Sequence, residues 1–238
     1  MIISRIAGAR PVLVAAALLA SASTADGQTP VQERVTALKA ALTENAAAQR
    51  GYTWLETTEI ALKGEVKSTE ASTCRYAPDS NKPTCTPVDP EAAKKRRGPV
   101  RKRVADKKIG ELKAYMDSVK TLVGRYVPPQ PELLQAAQGR GDLSVAPDPA
   151  NGTVKVTASN YVEKGDALSL VVNSTANTLA GAHVNSWLND PSATVTLDVQ
   201  FTTLPVGVTF PTTRTLTAAA KEITVTITST DFAQAVAQ

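Results

Sequence analysis

The sequence holds one histidine, two cysteines, two tryptophans and three phenylalanines in 238 residues, and each scarcity removes a class of activity. A lone His183 and the pair Cys74 and Cys85 are too few for a zinc centre. A Ser–His–Asp site would have to use His183, yet no serine stands in a Gly-x-Ser-x-Gly context. Asp-rich calcium loops and glycine-rich phosphate loops are missing too. Glu56 and Glu59 are near neighbours, but on a strand their opposite parity aims them at opposite faces. No catalytic residue, metal ligand or cofactor is assigned, and the chain reads as non-enzymatic. The shortage of aromatic side chains also argues against nucleic acid as a partner, since single strands are held by stacking. It leaves the core to Val, Leu, Ile and Ala.

Long apolar runs are equally rare. Pro11 to Ala20 is the main one, shorter than the ~20 residues that span a bilayer. Arg5 and Arg10 flank it and small residues follow, with cleavage expected after Ala22 or after Ala25. Residues 1–25 therefore read as a secretory signal peptide. No cysteine lies at the cleavage region, so lipid anchoring is not expected. The expected product is a soluble periplasmic or secreted chain, residues 26–238, forming a single domain.

The formal net charge is +4, and loss of Arg5 and Arg10 lowers it to +2. Residues 94–108 hold nine basic side chains against one acid, Asp106, so the rest of the mature chain is acidic. Lys94, Lys95, Arg96, Arg97, Arg101, Lys102 and Arg103 are the candidate contacts to an anionic membrane surface or an acidic envelope partner, where each Lys or Arg contributes ~1 kcal/mol. The competing reading is a solvated loop. Cys74 and Cys85, eleven residues apart, are expected to form a disulfide in an oxidising compartment, with two free thiols as the alternative.

Period and punctuation give the elements. Thr29-Pro30-Val31-Gln32 opens a helix with Pro at its first position. Val31, Val35, Leu38, Leu42 and Ala46 follow at helical spacing, and Gly51 stops it. Tyr52, Trp54, Ile60 and Leu62 share one strand parity, Lys63-Gly64 turns the chain, and Val66 to Tyr76 returns. Five prolines and the basic run mark residues 77–103 as an exposed loop. A second helix is expected over about Val104 to Val127, with an apolar stripe of Ile109, Leu112, Met116, Val119, Val123 and Tyr126. A short third helix covers Pro131 to Gln138, closed by Gly139. Arg140-Gly141-Asp142 matches an adhesion tripeptide but belongs to this helix stop.

From Leu143 the period becomes two. Val154 and Val156, then Leu168 to Asn173, Leu179 to Leu188, Val195 to Phe201 and Ile223 to Ile227 read as strands of an antiparallel meander, apolar on one face. The expected fold class is α+β: a curved antiparallel sheet, an open half-barrel, with amphipathic helices packed over its apolar face.

Several segments together carry a resemblance. Tyr52-Thr53-Trp54, Leu62-Lys63-Gly64-Glu65, Lys94 to Arg101, Tyr126-Val127-Pro128-Pro129, Val184 to Pro191 and Phe201 to Pro205 are similar to an uncharacterised family of exported bacterial proteins, over nearly the whole mature chain. The order of elements also resembles that of periplasmic lipoprotein carriers of the LolA/LolB type. That second likeness implies a carrier architecture and no particular contact residue. A lipid or acyl chain is the expected partner, with Tyr52, Trp54, Trp187, Val195, Leu197, Val199 and Phe201 as candidate ligand-binding side chains. Each of these equally suits a plain core. The alternative function is a structural or envelope-interaction module acting through the basic arm.

Overall fold

The computed structural model describes residues 29–77, 83–89 and 99–235. The expected signal peptide, residues 1–25, and Lys94, Lys95, Arg96 and Arg97 lie outside the described residues. So do the side chains of Val31, Val35, Leu38, Arg101, Lys102, Arg103 and Ile109.

Among the described residues, ten strands form one sheet, and three α-helices accompany it. In chain order these are α1 (Thr29–Gln49), β1 (Tyr52–Leu62), β2 (Glu65–Tyr76), β3 (Pro83–Pro87), α2 (Pro99–Val123), α3 (Pro131–Arg140), β4 (Leu143–Asp148), β5 (Thr153–Ser159), β6 (Ala167–Asn173), β7 (Leu179–Trp187), β8 (Thr194–Thr203), β9 (Thr209–Ala218) and β10 (Ile223–Gln234). The strand order is β3-β2-β1-β10-β9-β8-β7-β6-β5-β4, and every neighbouring pair is antiparallel. The sheet is therefore open, with β3 and β4 as its two edges. The chain leaves at one edge and re-enters at the other, so α2 and α3 make up the connection across it.

The β1–β2 hairpin turns where expected. Lys63 (φ 56°) and Gly64 (φ 75°) are both left-handed, the two-residue turn whose twist matches the flanking strands. The span 77–103 is not loop throughout: β3 lies within it and α2 begins at Pro99. Pro99 suits the first helical position, because its fixed φ fits and its missing N–H has no partner there. β3 is held through Cys85, which pairs in register with Cys74 and is bonded to it. The disulfide, rather than two free thiols, is present.

α2 ends at Val123, four residues before the expected stop, and α3 continues to Arg140. Gly141, at φ 79°, is the left-handed cap of α3, a conformation that glycine adopts without steric cost. Gly139 lies inside the helix. The tripeptide is thus folded locally, with Arg140 Nε donating to Asp142 at 2.8 Å.

One buried cluster joins Val119 and Leu122 of α2, Tyr126 just beyond it, and Leu134 and Ala137 of α3 to Leu168, Leu170, Val184, Val195, Leu197 and Ile223 of the sheet. A second, smaller cluster holds Tyr52, Trp54, Cys74, Val208 and Phe210. It sits where the sheet divides. β10 pairs with β9 only over Ile223–Thr228, whereas β1 follows β10 to Gln234 and β9 follows β8 back to Thr209. Aromatic rings occupy that fork: Phe210 lies 5.3 Å from Tyr52, 6.0 Å from Trp54 and 4.5 Å from Phe232.

α1 is fastened at the same place. Asn45 accepts from the Thr209 N–H at 2.7 Å and donates to the Thr209 carbonyl at 2.8 Å. Gln49 adds a bond of 2.6 Å to that carbonyl. The Asn45 amide makes the two bonds a neighbouring strand would make, which satisfies backbone groups that lack one. Of the expected α1 stripe, Leu42 packs against the main cluster while Ala46 is exposed.

β3 presents five exposed residues, so little besides the disulfide and its ladder holds it. The eleven-residue separation of Cys74 and Cys85 corresponds to about 3 kcal/mol of loop-closure entropy. Cys85→Ser is expected to lower stability by about 2–3 kcal/mol in urea unfolding. In the same variant, amide exchange at Thr84 and Thr86 should accelerate while β5 to β8 stay protected.

Candidate functional site

Residues paired across an antiparallel sheet share a face, and the pairing assembles rows that run across the whole sheet. One row is Leu143, Ala158, Leu168, Val184, Leu197, Leu216, Val225 and Ile60. It is apolar on eight successive strands, because each contributes the inward member of its alternation. Its burial is uneven. Ala158 and Leu168 are 0 % exposed and Val184 2 %, whereas Leu216 and Ile60 are only partly buried. Leu62 and Ile227, on the same part of the face, are also partly buried and pack against the main cluster.

The adjacent row begins as another apolar one: Val145, Val156, Leu170, Ala182 and Val199. Its β9 member is Arg214, followed by Ile227 and Thr58. Arg214 Nη2 donates to Glu56 Oε2 at 2.5 Å and to Ser229 Oγ at 2.9 Å. Glu56 and Ser229 are themselves paired in register, so three strands converge on one guanidinium. The side chains are 27 % (Arg214) and 16 % (Glu56) exposed. Arg214 Nε is buried without a hydrogen-bond partner. Trp54 Nε1 approaches the same Glu56 oxygen at 3.5 Å, and its ring lies 5.6 Å from that of Tyr76. Burial raises the Tyr76 phenol above its usual range, partly offset by the charges of Arg214 and Arg50.

Glu56 also groups with Cys74 and Cys85, with ligand atoms within 4.8 Å of one another. The disulfide removes both thiolates, and metal binding needs the thiolate form. A single carboxylate remains, already committed to Arg214.

A second polar knot lies at the other end of α2. The Tyr126 hydroxyl donates to Asp166 Oδ2 at 2.5 Å and stands 2.8 Å from Ser186 Oγ. Asp166 also accepts from the N–H groups of Val162 and Glu163 at 3.0 and 2.7 Å. Tyr126, Asp166 and Ser186 are 0, 1 and 2 % exposed. Burial, and then the bond to Asp166, push the Tyr126 phenol far above its ordinary value. Burial raises Tyr115 and Tyr161 as well. Raised phenols favour the folded state while protonated. Their contribution is complete below the unfolded tyrosine value of ~10 and is lost as pH climbs above it. Unfolding free energy is therefore expected to fall steadily above about pH 10, with the native absorbance rise at 295 nm lagging behind that of the unfolded chain.

Beside this knot an open pocket of about 380 Å³ is lined by Leu122, Arg125, Glu163 and Trp187 among others. Arg125 and Glu163 bridge its mouth at 2.6 Å and are 46 and 44 % exposed. Ser118, Thr121 and Asn189 complete a mainly polar lining, so the pocket offers little apolar surface.

No family model and no curated protein matches the chain. Solved structures do. A DUF1329 family protein from Desulfovibrio piger is similar with a TM-score of 0.45 at 9 % identity, over 88 % of this chain and 95 % of that one. A domain with a proposed role in outer membrane lipoprotein sorting, from Vibrio parahaemolyticus, has a TM-score of 0.40 at 9 % identity, over 86 % and 94 %. A LolA superfamily protein from Nitrosomonas europaea has 0.33 at 8 % identity, over 84 % and 94 %. A LolA superfamily protein is thus among the similar solved structures. Likeness at this level carries no ligand or activity with it.

The candidate ligand residues fall in three places. Val195, Leu197 and Val199 are buried in the main cluster, with Phe201 partly buried against it. Tyr52 and Trp54 belong to the second cluster, and Trp187 lines the open pocket. Arg214 and Ser229 escaped the sequence reading, because only the pairing of β9, β10 and β1 brings them to Glu56. His183 lies on the opposite face, its Nδ1 2.6 Å from Asp198 Oδ1. Ser169 is its register partner on β6. The Ser169 hydroxyl, however, is bonded to Thr157 at 3.0 Å, and His183 and Asp198 are 47 and 60 % exposed. The row is a polar ladder, exposed at His183 and Asp198 and buried at Ser169.

Proposed function

We propose that the protein is an exported, non-enzymatic carrier for a hydrophobic ligand, a lipid or lipoprotein acyl chain, held between the inner face of an open half-barrel and the helices that cover it. The observation that carries this reading is the uneven burial of one apolar row: closed from Ala158 to Leu197 and again at Val225, partly open at Leu216 and Ile60 on either side of it. A side chain already facing a neighbouring apolar surface gains from a guest that displaces the remaining water, at ~25 cal/mol per Å². Phe201, Leu216, Ile60, Leu62 and Ile227 form the accessible floor in this reading. Val195, Leu197 and Val199 join it when α2 lifts, and Tyr52 and Trp54 wall its far end. Export and the Cys74–Cys85 disulfide support an oxidising, periplasmic workplace.

Lipid extraction and mass spectrometry of the mature chain, purified from the periplasm without detergent, test the proposal. An acyl lipid at near-equal stoichiometry is the expected result. A chain that is empty in repeated preparations, and that takes up no fluorescent acyl probe, overturns it.

A further inference from the structure

We infer that Arg214 receives the anionic headgroup of the ligand, so that the guest is an acyl amphiphile ending in a carboxylate or phosphate rather than a neutral lipid. The inference rests on the carrier reading and adds to it the polarity and orientation of the guest. Three features of the site lead to it.

The first is position. Arg214 replaces an apolar residue in a row that is otherwise apolar from Val145 to Val199. It lies two residues from Leu216 on the same strand and face, ~7 Å along the strand. A headgroup at the guanidinium therefore directs its chain over Leu216 and Ile60, the partly buried floor. The second feature is unused capacity. Both protein bonds to the guanidinium are made by Nη2, while Nε is buried and unpartnered. Nε and Nη2 form one edge of the planar fork, the edge that grips carboxylates and phosphates with two parallel bonds. Leaving a buried charged donor unpaired is costly, and a two-oxygen anion completes it. The third feature is the identity of the current occupant. Glu56 is a carboxylate, bonded through one oxygen, and it shows that the position accommodates such a group. Other polar groups around it are the Ser229 hydroxyl, the Trp54 indole N–H and Tyr76, whose phenol feels the positive charge of both Arg214 and Arg50. Glu56 is the one acid bonded to this cation among the described residues, and an incoming headgroup displaces it or shares Nη2 with it.

The test uses the full mature chain and a pair of probes that share one acyl chain and differ in headgroup charge, 11-(dansylamino)undecanoic acid and its methyl ester, which adds one methyl group. The wild-type protein is expected to bind the acid about tenfold more tightly than the ester, the scale of one charge-assisted bond. In Arg214→Gln the two affinities should come within about twofold. Glu56→Gln should strengthen acid binding, because the competing carboxylate is gone. Equal affinity for acid and ester in the wild type overturns the headgroup assignment and leaves the carrier reading standing; binding of neither probe overturns the carrier reading itself. The wild-type comparison decides even where a variant folds poorly. Displacement of the acid probe by dodecanoate and by dodecyl phosphate separates the two sources, the tighter competitor identifying the headgroup.

Discussion

Replacing Asp166 with alanine is expected to destabilise the protein by about 3–5 kcal/mol, the scale of several hydrogen bonds lost together at a buried side chain. Its carboxylate is the acceptor for three donors at once, the Tyr126 hydroxyl and the Val162 and Glu163 N–H groups. The Tyr126 hydroxyl has no water to turn to, since Tyr126 and Asp166 are 0 and 1 % exposed. Each orphaned buried donor costs about 1–3 kcal/mol. The damage is also distributed: Tyr126 lies in the turn just after α2, residues 162–166 form the turn before β6, and Ser186 belongs to β7. Urea unfolding monitored by tryptophan fluorescence measures the loss. Tyr126→Phe, which removes one donor and leaves the carboxylate with its backbone bonds, should cost about 1–2 kcal/mol. If Asp166→Ala costs no more than Tyr126→Phe, the carboxylate is not the hub that the distances indicate.

That knot was invisible in the sequence for a plain reason. Tyr126 and Asp166 are forty residues apart, and nothing in their local pattern couples them. The meander itself was legible, because Val154 and Val156, Val195 to Phe201 and Ile223 to Ile227 alternate apolar and polar residues with period two. β9 was not, and its concealment is instructive. Its inward positions read Arg214, Leu216 and Ala218, so a cation stands where the alternation calls for an apolar side chain. The residue that gives the face its charge is the one that hides the strand, as happens where a site breaks a local folding rule. β3 was lost differently. Two prolines bound a five-residue segment with no apolar period, and its pairing is set by Cys85 finding Cys74. The helix ends moved because Pro99, Gly124 and Gly141 compete with more obvious stops nearby, and the left-handed cap fell on Gly141 rather than Gly139.

The same apolar row supplies the sharpest separation of structure from function. Leu168 and Leu216 occupy equivalent inward positions, linked through Val184 and Leu197. Leu168 is 0 % exposed, so Leu168→Ala opens a cavity that the packed helices cannot close, and about 3–5 kcal/mol of stability is expected to be lost. Leu216 is partly buried and sheds less contact when truncated. Leu216→Ala is expected to cost under about 1.5 kcal/mol, yet to weaken acyl-probe binding several-fold, because the guest supplies the cover that the fold does not. Chemical denaturation and probe titration on the two variants check both halves. Should Leu216→Ala cost as much as Leu168→Ala while leaving probe binding untouched, the row is uniform core, and the open floor on which the carrier reading depends does not exist.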